Sequence, residues 1–157
     1  LTSLPTSEGW LYLAIVLDLY TRKAVGHAMS DSMPSELVVK AIDMALKRQG
    51  LDAINDLTTH TDRGSQYAAD KYREKLAEHR ITASMSRKGN CYDNAFVESF
   101  FRTLKVELIY ARNFKTRKEA ESAIFEFIEV WYNRQRLHSS LDYMTPENYE
   151  LKQLTAA

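Results

Sequence analysis

Two β-type runs separated by a very short break constrain this chain more than any other feature. From Trp10 to Leu19 the sequence is rich in Leu, Val, Ile and Tyr, and after Thr21-Arg22 a second apolar-rich segment runs from Lys23 to Met29. Strands joined by so few residues pair antiparallel, because a parallel return needs a crossover of a dozen residues or more, on the order of a helix. The opening Leu1 to Leu4, closed by Pro5-Thr6-Ser7-Glu8-Gly9, reads as the remnant of a strand that turns into the next. A three-stranded meander is therefore expected.

The pattern then changes. Ser32-Met33-Pro34-Ser35 starts a helix in which Leu37, Val38, Ala41, Ile42, Ala45 and Leu46 recur at helical spacing up to Gly50. Leu57 to Thr61 reads as a strand, Ala68 to Glu78 as a helix and Ile81 to Ser86 as a strand, so the later strands should be parallel. A helix is expected from Asn94 to about Ala111, with Phe96, Phe100, Leu104 and Leu108 along one stripe. Another opens on a capping box, Thr116 with Glu119, and carries Ala120, Ile124, Phe127, Ile128 and Trp131 to its end near Asn133. This element order fits a ribonuclease H-like α/β architecture, a mixed five-stranded sheet of three antiparallel and two parallel strands flanked by helices. It is one of several that the pattern allows.

At 157 residues one core should serve the whole chain, and 45% hydrophobic with 27% charged residues is ordinary for a globular domain. The longest apolar run, Leu11 to Leu17, is far short of the roughly 20 residues of a membrane helix. Cys91 is the only cysteine, so no internal disulfide can form, and a reducing, cytoplasmic setting is expected. Net charge is zero, which excludes a grip on nucleic acid through overall charge. Locally the balance differs. Between Arg87 and Lys118, Arg87, Lys88, Arg102, Lys105, Arg112, Lys115, Arg117 and Lys118 face only Asp93, Glu98 and Glu107. That excess of cations reads either as a phosphate-binding face or as a solvated helix surface.

Two carboxylates stand out. Asp62 follows the strand ending at Thr61, the carboxyl end at which α/β sheets carry their sites, and Glu98 lies one turn into the later helix. Their spacing alone carries little, since about two acidic pairs at that separation arise by chance. Glu98, Arg102 and Lys105 fall at i, i+4 and i+7 and so share a helical face, as a phosphate-binding surface or as ion pairs. His60, two residues before Asp62 and so on the same strand face, is read as a supporting or strand-packing residue because no other His is positioned to build a nitrogen site.

The surroundings of the two acids are more specific. His60-Thr61-Asp62-Arg63-Gly64-Ser65-Gln66-Tyr67 and Ser86-Arg87-Lys88-Gly89-Asn90-Cys91-Tyr92-Asp93-Asn94-Ala95-Phe96-Val97-Glu98-Ser99-Phe100-Phe101 closely resemble the second and third catalytic blocks of bacterial insertion-sequence transposases of the IS-three type. The core of that group is similar to retroviral integrase. Trp131-Tyr132-Asn133-Arg134-Gln135-Arg136-Leu137-His138-Ser139-Ser140-Leu141 and Met144-Thr145-Pro146-Glu147 resemble its C-terminal signature, and Gly9 to Leu13 and Val16 to Arg22 match as well.

The resemblance implies one integrase-type catalytic core over residues 1–157, an Mg²⁺-dependent DDE enzyme that cuts DNA and joins its ends. Asp62 and Glu98 would be catalytic and metal-binding, holding two Mg²⁺ ions, with Mn²⁺ as a substitute. Lys88, Asn90, Asn94, Arg102, Lys105, Arg134 and Arg136 would contact DNA. DNA ends and target would be its partners, a homo-oligomer would form on DNA, and no membrane would be involved. Nucleoid association would follow DNA binding, and end recognition would lie in an upstream domain absent from this chain. The family's first catalytic Asp would stand directly ahead of Leu1, at the start of the first strand, and is absent here. That departure leaves open a non-catalytic DNA-binding or assembly fragment, and a ribonuclease H-type nuclease that only hydrolyses. Asp18 would be a separate position, either near the metal site or paired with Arg22.

Overall fold

The computed structural model describes residues 1–32, 35–49, 58–61, 70–78, 82–85 and 95–156. The meander forms as expected: β1 (Thr2–Thr6), β2 (Gly9–Leu17) and β3 (Ala24–Ser30) pair antiparallel in that order. Thr2 lies opposite Leu13 and Thr6 opposite Gly9, whose φ of 125° supplies the left-handed turn residue between β1 and β2. A register shift at Val16/Leu17 bends the far end of β2, so that Leu17 pairs with Ala24.

Alternation along β2 sorts its side chains into two cores. Leu11 and Leu13 are fully buried on one face with Leu4, Phe100, Leu104, Ile124 and Ile128. Ala14, with the partly buried Tyr12 and Val16, faces the other core, where Leu37, Val38, Ala41, Ile42 and Leu46 of α1 (Ser35–Gln49) meet Tyr72 and Leu76 of α2 (Asp70–Glu78). The antiparallel sheet is thus covered on both sides, and each fully buried Leu contributes roughly 1.5–3 kcal/mol. Gly26 of β3 lets α1 approach closely, because a Cβ there would lie 2.1 Å from the Ala41 carbonyl oxygen.

β4 (Thr58–Thr61) and β5 (Thr82–Met85) are parallel, in register from Thr58 opposite Thr82 to Thr61 opposite Met85. Among the described residues they pair with each other as a two-stranded sheet.

Both long C-terminal helices change pitch. α3 (Ala95–Leu104) continues as a π-helix over Lys105–Ile109, and α4 (Arg117–Glu126) as one over Phe127–Gln135. Thr116 caps α4 by accepting from the Glu119 N–H at 3.1 Å, but the Glu119 carboxylate accepts from the Lys115 N–H rather than closing the box on Thr116. In the π segment the buried stripe passes from Ile128 to Tyr132, and Trp131 stays only partly buried. A short 3₁₀ turn (Ser139–Leu141) leads to α5 (Pro146–Ala156).

Candidate active-site face on the third helix

α3 forms because Phe100 and Leu104, one turn apart, bury against Leu4 and Leu11 of the sheet. That packing points the opposite face outward. Glu98, Arg102 and Lys105 lie on it, and with Thr2, Phe101, Val106 and Tyr110 they line a cavity of about 330 Å³. Thr2 shares its face of β1 with Leu4, so the start of the first strand is brought beside Glu98 by the contact that buries Phe100.

Among the described residues the charges on this face are uncommitted. Glu98 and Arg102 are exposed, Lys105 is half-buried, and among the described residues Glu98 makes no ion pair with either cation. The expected face exists, and its reading as two ion pairs is not realised. A carboxylate in the first turn and a cation in the last also complement the dipole of α3.

Other expected contacts lie elsewhere. Arg134 pairs with Glu147 at 3.3 Å, and Arg136 donates to the His138 ring at 3.1 Å and lies over Tyr132. Neither lines the α3 cavity. Asp62, Lys88, Asn90 and Asn94 fall outside the described residues, as does Cys91. Asp18 is a turn residue: its Oδ1 accepts from the Tyr20 and Thr21 N–H groups at 2.8 and 3.3 Å. Its link to Arg22 is through the backbone, with the Arg22 N–H donating to the Asp18 carbonyl at 2.8 Å, not through a side-chain ion pair.

Asp18 faces a larger cavity of about 730 Å³ beneath the β2–β3 turn. There Lys23 pairs with Glu150 at 3.2 Å and Arg48 with Glu129 at 2.5 Å. Burial pushes the Glu129 carboxyl up, but hydrogen bonds from Arg48 and from His27 at 3.0 Å outweigh it and hold its pKa below the usual range. Asn133, also lining this cavity, is buried and makes two bonds to Ala24, accepting from its N–H at 2.9 Å and donating to its carbonyl at 3.0 Å.

Sequence reasoning missed the parts played by Thr2, Asn133 and Arg22. Arg22 adopts φ 63°, which its residue type does not announce, and its guanidinium lies 3.4 Å from the centroid of the Phe96 ring. The signal for Asn133 was present, since a buried Asn within an apolar helical stripe must find partners.

A family model described as Integrase core domain matches residues 1–91, and a second of the same description matches residues 79–146. The chain is 46% identical over 154 residues to Transposase InsF for insertion sequence IS3A of Escherichia coli K12, covering 98% of this chain and 53% of that protein. It is also 46% identical over 150 residues to the transposase for insertion sequence element IS904 of Lactococcus lactis, covering 96% of this chain and 58% of that one. It thus spans about half the length of these curated relatives. Among solved structures it resembles the catalytic core domain of BIV integrase (TM-score 0.69, 18% identity, 99% of this chain and 94% of that one). It also resembles the HTLV-2 integrase catalytic core domain in complex with magnesium (TM-score 0.65, 14% identity, 94% and 90%). These likenesses establish the ribonuclease H-like α/β fold, and with the family matches over both halves they show that this chain belongs to the integrase core domain family.

Proposed function

We propose that this chain carries out the metal-dependent DNA cleavage and strand transfer of a transposase, with Glu98 and Asp62 as two of its three acidic ligands. The observation that carries the reading is the α3 face, where an exposed carboxylate, free of ion pairs among the described residues, shares a cavity with two cations and the start of β1. Alternation along β1 would put a residue directly ahead of Leu1 on the same side as Thr2 and Leu4, the side that α3 covers. An acidic residue there would complete the DDE set.

Glu98 suits a hard divalent cation: among the described residues it offers carboxylate oxygens without having to surrender an ion pair. Two Mg²⁺ ions, when bound, supply Lewis acidity to the attacking and departing oxygens of phosphodiester transfer. Arg102 and Lys105 hold the DNA backbone in line with Glu98, so that positioning comes from cations on the same helix as the acid. Lys88, Asn90 and Asn94 would add contacts from the segment preceding α3. DNA ends and target are the proposed partners, a homo-oligomer joins two ends, and the cytoplasm is the proposed setting. No described helix is long and apolar enough to cross a membrane. The parallel pair β4–β5 is proposed to extend the meander into one five-stranded sheet, which would bring Asp62 toward Glu98.

The test is a strand-transfer assay of the intact encoded protein with an end-mimicking oligonucleotide in Mg²⁺. Products longer than the substrate are expected. Shortened products alone would indicate a hydrolytic nuclease, and binding without any product would indicate an inactive assembly module.

A further inference from the structure

Glu98 lies in the first turn of α3, where amides lack helical partners and helices fray. The buried stripe that fixes the rotation of this helix begins only at Phe100, two residues later. The next stripe residue toward the helix start is Phe96, which is 41% exposed and is not held by the core. What holds it is Arg22, whose guanidinium covers its ring at 3.4 Å.

Arg22 is itself fixed. Its backbone occupies the left-handed region at φ 63°, its N–H is bonded to the Asp18 carbonyl, and the Asp18 side chain closes the same turn on Tyr20 and Thr21. Just beyond it, Ala24 is bonded on both sides by Asn133. The neighbour of Asn133, Tyr132, packs edge-on against Phe100 with ring centroids 4.7 Å apart. One π-helical segment therefore anchors both the β2–β3 turn and the middle of α3, and Arg22 on Phe96 joins the two again at the helix start. The Arg22 guanidinium makes no ion pair among the described residues, and its Nη1 is buried without a hydrogen bond. A ring, not an acid, takes the cation, so the bond leaves no carboxylate neutralised.

We infer that Arg22 is a positioning residue: by clasping Phe96 it fixes the first turn of α3 and so the direction in which Glu98 points on the opposite face. The inference rests on the proposed role of Glu98. It gives the C-terminal block around Tyr132 and Asn133 a task in the site without contact with DNA.

Arg22→Gly tests it, because glycine accepts the left-handed backbone and removes only the side chain. Amide hydrogen exchange over Ser99–Phe101, whose N–H groups bond the carbonyls of the first turn, should accelerate by about ten-fold, the scale of a lost cation–π contact, while exchange in β2 and β3 stays as it was. Strand joining should fall by a similar factor with DNA affinity and its salt dependence unchanged, and Arg22→Lys should recover part of both losses. Phe96→Leu, which keeps an apolar stripe residue, should loosen the same turn and serves if the glycine variant fails to fold. Unchanged exchange at Ser99–Phe101 in both variants overturns the inference, and so does a weakened, less salt-dependent DNA affinity in Arg22→Gly, which would make Arg22 a phosphate contact. If instead the turn loosens but Glu98→Gln joins DNA normally, the reading of Glu98 fails while the clasp on α3 stands.

Discussion

The cavity beneath the β2–β3 turn holds about 730 Å³ and that along α3 about 330 Å³, yet the smaller is the candidate site. In the larger, Lys23, Arg48 and Arg134 are each bonded to a glutamate, and Asp18 is engaged by turn amides. In the smaller, Glu98, Arg102 and Lys105 face the same space without pairing among the described residues. Satisfied charges hold elements together, here the turn, the π segment and α5. Charges left unpaired are available to a ligand. Commitment of charge, not volume, distinguishes the candidate site from the larger cavity.

The contrast breaks most readily at Glu98. Glu98→Gln removes an anionic oxygen while nearly preserving shape, and it should abolish strand transfer in Mg²⁺ while DNA binding in a filter or anisotropy assay is retained. Glu150→Gln in the larger cavity should leave transfer intact; loss of joining there would erase the distinction. Next in size is Asn133→Ala, which leaves the buried N–H and carbonyl of Ala24 without their partner and should cost roughly 2–4 kcal/mol in denaturant unfolding. A change under about 0.5 kcal/mol would show that Asn133 is not the anchor described, given what surface substitutions cost.

A pH titration sharpens the structural side. Burial, with the Arg136 and Arg22 charges, depresses the His138 pKa from 6.5 to about 4. The unfolded chain therefore takes up the proton first as pH falls, so this contribution is complete above pH 6.5 and is lost progressively down to about 4. Urea midpoints should decline across that window, and His138→Gln should flatten part of the decline; an unaltered slope would remove His138 from the account. Smallest is Lys105→Ala, for which DNA affinity should weaken and the slope of log affinity against log salt should become shallower by about one. An unchanged slope would place Lys105 outside the DNA path.

Much of this was legible in the chain itself. The hairpin followed from the short break at Thr21-Arg22, the α1 stripe from Leu37 to Leu46 is buried as its spacing requires, and β4 and β5 are parallel as their intervening helix demands. The shared face of Glu98, Arg102 and Lys105 followed from helical geometry. What escaped has physical reasons. The π turns shift the stripe toward Tyr132 because their hydrogen bonds span five residues, and no residue pattern announces that change. Arg134 pairs with Glu147 and Arg136 with the His138 ring, partners that depend on how the chain turns toward α5 and that charge alone does not announce. The left-handed Arg22 is set by its turn, not by its own preference.

Diffraction from crystals of the protein soaked in Mn²⁺, read at the manganese absorption edge, tests the central claim most directly. The account predicts anomalous density at the Glu98 carboxylate, in the cavity it shares with Thr2, and none among Asp18, Glu147 and Glu150. Density in the larger cavity with none at Glu98 would contradict it.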